Sequence, residues 1–596
     1  MITTIKMVVC GVPGGGKTRF LVDEIRKYYT RDDAGRIAFT SFTRAAVDEA
    51  RTRVAEKFGI PASDAEEDLP GFRTMHSHCF RALGLRKYMV VDEQDKLSFC
   101  EDILGIPYQR SPSRTGHSLS IVDFDAWMPQ PDFETLGGTL FTAYEWCRCR
   151  RWIVAKRWRE LSIPIEWRIE FSDGLVNRFV HEWQKYKTIG WSLHSNNDQR
   201  KDRKFRGVLF DFGDMIENVL IKNITLPFSD WFFDEFQDFN QSLYDVFKFW
   251  VEQPHVRRVI IAGDPNQTVY GFAGGNPTFF MTEFNSATEK VKLFQTFRCP
   301  EKIVRIANAL IARIPCSERP DYLLQATEHV GRVNVINSDD AACIAYRKAA
   351  AGGSVFVLFR TNFQLQRFAR KLAVEGVPAQ LIHDPDGWFD LLWSKSGPWM
   401  ASVPPFLKAA GLISRNQELQ PTDVRAILRF ASFGREHGNF LFRQDEEKSL
   451  QAFTFSAETG RSISTEKLLN YAWHRTPEEF LDALQLRLSR SRHLDVLACG
   501  AALLRALKSK KFDLPYPPDK LRLGTVHGAK GMQADCVILF AHTPAALREN
   551  LMDLNLLHDE IRVNYVAVTR ARNALFLVDP EKFPPLKVAM DTAAIR

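Results

Sequence analysis

No stretch of this 596-residue sequence comes near the roughly 18 continuous apolar residues that a bilayer crossing requires, so no membrane-spanning helix is expected. Cysteine is sparse. The ten residues are scattered, Cys147 and Cys149 are the one close pair, and no C-x-x-C or Cys/His cluster has metal-ligand spacing. Zinc and iron–sulfur sites are therefore not expected, and the thiols should be reduced. Internal repeats and low-complexity tracts are also missing. Ten residues precede the first Gly-rich loop, which leaves no room for a signal peptide, and a cytoplasmic protein is the expectation.

What is present is an ordinary globular composition, 45% hydrophobic and 25% charged, in a chain too long for one core. The net charge of +7 is unevenly spread. Residues 148–206 hold 15 Lys/Arg against 7 Asp/Glu, interleaved with Trp152, Trp158, Trp167, Trp183 and Trp191. This mixture favours a polyanionic partner, with a solvated helical face over core tryptophans as the alternative.

The strongest local signal is Gly11-Val12-Pro13-Gly14-Gly15-Gly16-Lys17-Thr18, a G-x-x-x-x-G-K-T loop. Small residues let successive N–H groups converge on a phosphate. Lys17 can reach the β/γ oxygens of a nucleotide such as ATP, and the Thr18 hydroxyl can ligate Mg²⁺. The context agrees: Ile5 to Cys10 reads as a buried strand, and Arg19 to Tyr28 as a helix whose N-terminus faces the anion. A second unit follows, with a strand at Arg36–Phe42 and a helix from the N-cap Thr43 to Gly59.

At Trp231-Phe232-Phe233 an apolar run ends in Asp234-Glu235. A carboxylate at a strand end beside a phosphate loop suits Mg²⁺ held through water, the role expected of Asp234, while its neighbour Glu235 can orient or deprotonate the attacking water. The buried run Arg258–Gly263 leads to Gln267, placed to sense the γ-phosphate. Because Lys17 and Asp234 are about 200 positions apart, an insertion must separate them.

The chain thus reads as α/β, with two parallel-sheet cores that each carry a mostly helical insertion. The expected limits are 1–81 with 208–288 for the first core and 82–207 for a basic insertion. The second core is expected at 289–390 with 520–596, and its insertion at 391–519, closed by Pro515, Pro517 and Pro518.

Taken together, the motifs resemble those of superfamily 1 DNA helicases of the UvrD/Rep/PcrA type, in the family's order over nearly the whole chain. The match comprises Gly11–Thr18, Phe42-Thr43-Arg44, Thr74-Met75-His76-Ser77, Asp234–Asp238, Gly263–Phe272 and Gln295-Thr296-Phe297-Arg298. It continues through Arg360-Thr361-Asn362, Thr525–Gly531 and Tyr565–Ala571. The resemblance implies two RecA-like P-loop cores, ATP and Mg²⁺ as cofactors, and 3′→5′ movement on single-stranded DNA with unwinding at single-strand/duplex junctions. A protein partner is left open.

The resemblance also implies residue roles. Arg298 and Arg570 match arginines that reach the γ-phosphate from the second core. Arg19 and Phe297 match residues that sandwich adenine, and Gln533 stands near the ribose where the family has Glu. Phe42, Thr43, Thr74, His76, Tyr270, Phe272, Arg360, Asn362, Thr525 and His527 match the single-strand path. Taken alone, His76 reads as a core histidine, Tyr270 and Phe272 as core aromatics, and Arg360 as an ion-pair partner.

Three departures stand out. No glutamine precedes the phosphate loop to read adenine. Phe272 and Ala273 replace a tryptophan and an arginine, and Gln533 removes a charge. A nucleic-acid-stimulated ATPase switch that does not unwind, or an RNA-directed enzyme, remains open at this level.

Overall fold

A computed structural model describes residues 5–108, 135–161, 172–189, 208–382, 399–431, 441–455, 462–491, 494–513, 516–541 and 553–594. Trp167, Trp191, Pro515 and the basic run 200–206 lie outside them. The chain forms two compact units. One comprises Met1–Gly331, Pro544–Thr569 and Val588–Ile595; the other comprises Arg332–Thr543 and Arg570–Lys587.

The first unit is built on five strands: β1 (Ile5–Gly11), β2 (Ile37–Thr40), β3 (Asp230–Phe233), β4 (Arg258–Gly263) and β5 (Glu289–Leu293). They pair in parallel in the order β2-β3-β4-β1-β5. β2, β3 and most of β4 are buried along their length, the continuous apolar pattern of a sheet covered on both faces. Among its helices are α1 (Lys17–Tyr28), α2 (Arg44–Phe58) and α3 (Met75–Ala82). The expected cap is present: the Thr43 hydroxyl accepts from the Ala46 N–H, and Gly59 closes α2 at φ 65°. Since the strands are parallel, the loops leaving β1, β3 and β4 bring the phosphate loop, Asp234 and Gln267 to one sheet edge.

The expected border at 288/289 moves to 331/332. β5 pairs with β1, with Gly11 opposite Leu293, so the residues after 288 complete the first sheet. Residues 544–569, expected in the second core, also belong to the first unit.

Within the first insertion, α4 (Leu136–Cys149) and α5 (Asp173–Ile189) share an aromatic core of Phe99, Phe141, Phe179 and Trp183. The chain returns through α6 (Phe212–Ile221), whose N-terminus is a capping box of Asp211 and Asp214. That box corrects the expected basic surface. Lys187 is 1% exposed and donates to Asp211 and Asp214 at 2.5 Å each, while Arg148 pairs with Asp214 at 2.9 Å and Glu217 at 3.0 Å. Arg151, Arg157 and Arg159 pair with Asp245, Glu160 and Asp173. These five cations meet protein carboxylates: Asp211, Asp214, Glu217 and Asp245 come from outside residues 148–206, and Glu160 and Asp173 from within them.

Burial opposes charge on Asp211, but Lys187 and Arg148 outweigh it and hold the carboxyl below its ordinary range. Lys187→Met is therefore expected to destabilise the first unit by about 3–5 kcal/mol, because it strands buried carboxylates. Without the lysine their folded pKa values rise above the unfolded ones, so the loss is greatest at neutral pH and shrinks towards acid pH. Thermal melts of the full chain across pH would check this; an unchanged midpoint at pH 7 would contradict it.

The second unit holds β6 (Arg332–Ile336), β7 (Val355–Phe359), β8 (Gln380–Leu381), β9 (Glu418–Leu419), β10 (Ile463–Ser464), β11 (Leu521–Thr525), β12 (Ala534–Phe540) and β13 (Ala571–Val578). Six of them form a parallel sheet, β6-β13-β12-β7-β11-β8, with α7 (Asn362–Val374) among its helices. The insertion is mainly helical, as at Trp399–Ser414 and Leu494–Ser509, but it also contains the antiparallel pair β9/β10. Among the described residues its Phe406, Ile427 and Leu503 join Val357 and Leu523 of the sheet in one apolar cluster.

All ten cysteines are free thiols; eight are buried, and Cys316 and Cys343 are exposed. No helix among the described residues is long and apolar enough to cross a membrane.

Candidate nucleotide site and strand surface

The phosphate loop of the first unit takes a shape that its glycines make possible. Gly14 and Gly16 have φ of 70° and 84°, and Gly16 stands at the N-cap of α1 with no side chain bonded across the helix end. At Gly14 a Cβ would lie 2.7 Å from Arg298 Cβ. At Gly11 it would lie 2.6 Å from Lys17 Cγ. Lys17 is buried and folds back over the loop, its Nζ donating to Gly11 O at 3.1 Å. Gly15 N donates to Val12 O, and the Pro13 carbonyl receives the Thr296 hydroxyl at 2.6 Å.

The Thr18 hydroxyl donates to Asp234 Oδ2, joining the loop to the end of β3. Asp234 is fully buried, and burial, reinforced by Glu235, pushes its carboxyl up to about 7. Glu235 adopts φ 53°, a costly left-handed conformation for a side-chain-bearing residue. Gln237 bridges the neighbourhood: its Nε2 donates to Glu235 Oε2 at 2.5 Å, and its Oε1 accepts from Asp264 N at 2.9 Å. Asp264 in turn accepts from Gln267 Nε2 at 2.9 Å and from the Tyr565 hydroxyl at 3.3 Å. Gln237, Asp264, Tyr565 and Thr296 were inside the motif strings but were not singled out as site residues. Their polarity within apolar surroundings was the available signal.

Arg298 requires a correction. It was expected on the second core, but it belongs to the first unit, where its N–H donates to Thr296 Oγ1 at 3.1 Å and its Nη1 to Thr569 O at 3.3 Å. Next to it, Phe297 is 77% exposed while its N–H donates to Gly14 O at 3.0 Å. Arg19 is also exposed and pairs with Asp23. Arg570 and Gln533 lie in the second unit. Arg570 is buried, with Nη1 donating to Met532 O at 3.2 Å, and Gln533 is exposed just before β12.

Comparison with known proteins fits this geometry. A family model described as UvrD/REP helicase N-terminal domain matches residues 2–122 and 170–288, and one described as UvrD-like helicase C-terminal domain matches 520–578, together about half the chain. The chain belongs to the UvrD/Rep helicase family. It is 22% identical, over 95% of its length and 81% of the relative's, to a probable DNA helicase II homolog of Mycoplasma capricolum. It is also 25% identical to the ATP-dependent DNA helicase PcrA of Leuconostoc citreum, over 58% of this chain and 53% of that protein, and 20% identical to the ATP-dependent DNA helicase Rep of Buchnera aphidicola, over 64% and 68%.

In this UvrD/Rep-family chain the residues matched to the strand path fall into two groups. Phe42 stacks on Tyr270 with centroids 5.3 Å apart, Tyr270 meets Phe272 edge-on at 6.2 Å, and Phe272 meets Trp146 of α4 at 5.6 Å. Trp146, 3% exposed in the core of the insertion, backs this aromatic shelf from beneath Phe272 and was not anticipated.

The second group has structural employment. Thr43 and Thr74 cap α2 and α3. His76 is buried edge-on against Phe212, and burial lowers its imidazole to about 3, so it sits neutral in the core rather than on an open path. In the second unit of this UvrD/Rep-family chain, Asn362 is exposed at the start of α7, while Arg360 and Thr361 N–H groups donate to Gln364 Oε1. The Thr525 hydroxyl accepts from Gly528 N, and His527 is half-buried.

Proposed function

We propose that the chain is an ATP-dependent DNA helicase and translocase that moves 3′→5′ on single-stranded DNA and opens duplex at junctions. The observation that carries this reading is the Thr18–Asp234 bond, which sets a hydroxyl of the phosphate loop against a buried acid with Glu235 beside it. A buried carboxylate whose charge is disfavoured, bonded to a loop hydroxyl, is a donor set that a divalent cation fits. Thr18, and Asp234 through water, would hold Mg²⁺, which supplies charge neutralisation across the phosphates.

Lys17 and the loop N–H groups bind the phosphates. Glu235 takes the proton of the attacking water, and Gln267, held by Asp264, orients that water against the γ-phosphate. Arg298 contributes guanidinium charge at the phosphoryl group, and Arg19 and Phe297 offer exposed faces to the base; the roles of Arg570 as a second arginine and of Gln533 as a ribose neighbour rest on the resemblance alone. The Phe42–Tyr270–Phe272 row gives a strand stacking surfaces that do not depend on sequence. Arg360, Asn362, Thr525 and His527 of the second unit are strand-contact residues by the resemblance alone. Names of the relatives, which are DNA helicases, favour DNA over RNA.

Steady-state hydrolysis should rise strongly with oligo-dT, and the half-stimulating concentration should increase steeply with salt, because phosphate contacts release counterions. A 3′-tailed duplex should be unwound and a 5′-tailed one should not. Hydrolysis indifferent to every DNA and RNA strand would overturn the motor reading. Stimulation without displacement from either tail would leave an ATPase switch, and preference for oligo-rU would make the substrate RNA.

A further inference from the structure

The turn that carries Tyr270 and Phe272 is clamped by a side chain from the insertion. Arg150, the residue that closes α4, donates through Nη2 to Gly271 O at 2.8 Å and Phe272 O at 3.0 Å, and through Nη1 to Trp146 O at 3.1 Å. Its stem lies beneath Gly274, where φ is 87° and a Cβ would come 3.3 Å from Arg150 Cγ. Trp152 covers the guanidinium at 5.5 Å. On the other side of the turn, helix α8 (Leu554–Val568) brings Asp559 so close to Gly271 that a Cβ there would fall 2.3 Å from its Oδ2. Within the turn Gly274 N–H donates to Gly271 O at 3.0 Å, and the Ala273 and Gly275 N–H groups donate to Tyr270 O at 3.0 and 2.9 Å, so Arg150 adds a side-chain tie from the insertion to a turn whose own bonds are all backbone.

We infer that Arg150 is a positioning residue for strand binding. It sets the 270–274 turn so that Tyr270 and Phe272 present their rings alongside Trp146, and thereby ties the helical insertion to the aromatic shelf. The planar fork matters because Arg150 reaches these carbonyls from two separate nitrogens, Nη1 to Trp146 O and Nη2 to Gly271 O and Phe272 O, a spread that the single nitrogen of a lysine does not reproduce. The inference rests on the reading that the shelf binds a single strand.

The test measures fluorescein-labelled oligo-dT affinity by anisotropy for the full chain, over a salt series, with Arg150→Met, Arg150→Lys, Phe272→Ala and the Arg150→Met/Phe272→Ala double variant. Arg150→Met should weaken binding about tenfold, on the scale of one lost base stack, with the slope of log affinity against log salt unchanged. Arg150→Lys should not restore affinity, and it carries the test if the methionine variant does not fold. The double variant should be little worse than Phe272→Ala, because both act through one shelf.

DNA-stimulated hydrolysis should show a raised half-stimulating concentration with its maximal rate retained. A salt slope reduced by about one would make Arg150 a direct phosphate contact and overturn the positioning role. Wild-type affinity in the Arg150 variants with weakened Phe272→Ala would sink this inference and leave the shelf reading intact. Wild-type affinity in all of them would sink both.

Discussion

Glu235→Gln is expected to lower ATP turnover by about 10²- to 10⁴-fold while nucleotide affinity stays within a few-fold of wild type. The substitution keeps the shape of the side chain. Glutamine can still accept from Gln237 Nε2 through its own carbonyl oxygen, so the left-handed turn at residue 235 retains its tether. What disappears is an acceptor for the proton of water. Asp234 should become easier to ionise, since Glu235 is one of the groups that raise its pKa, and removal of a neighbouring negative charge acts in the opposite direction. Nucleotide binding should therefore survive or tighten. Single-turnover hydrolysis alongside binding of a fluorescent ATP analogue separates the two effects. Turnover within tenfold of wild type would place the base elsewhere.

Arg298→Lys should cost about 10³-fold or more in the hydrolysis step, comparable to losing an arginine finger. Lysine retains the charge but not the planar fork, and that difference matters where a guanidinium must meet several oxygens at once. The backbone around residue 298 is fixed independently of the side chain, by the Thr296 hydroxyl to Pro13 O and by Phe297 N–H to Gly14 O. The lysine variant should consequently fold and bind nucleotide normally, and the defect should appear in single-turnover rate alone. A variant that hydrolyses within tenfold of wild type, or that loses nucleotide binding in parallel, would reduce Arg298 to a structural tie between the phosphate loop and Thr569.

Much of this was legible in the sequence where a local rule leaves no freedom. Gly14 and Gly16 occupy positive-φ positions and Gly11 faces the Lys17 stem, so the loop's spelling and its geometry are the same fact. Thr43 and Gly59 bracket α2 because caps are decided within one turn. Features decided by distant pairing were not legible. The basic count between 148 and 206 could not reveal that Lys187 and Arg148 end in the Asp211/Asp214 box. The place of β5 in the first sheet was not legible because the strand, half exposed and alternating with lysines, carries no apolar signature and is defined by its register with β1. His76 sits in a strand-contact motif, yet its ring is aimed at Phe212, a direction that a motif does not encode.

The distribution of thiols has a practical consequence. Eight cysteines are closed off from solvent, and the two exposed ones fall on different bodies, Cys316 in the unit that holds the phosphate loop and Cys343 in the other. The unaltered polypeptide therefore already carries one exposed maleimide-reactive thiol on each body, and a mixture of donor and acceptor dyes would label the pair in either arrangement. Energy transfer between them would follow each body through a round of nucleotide turnover, without any engineered residue and with the catalytic groups left as they are.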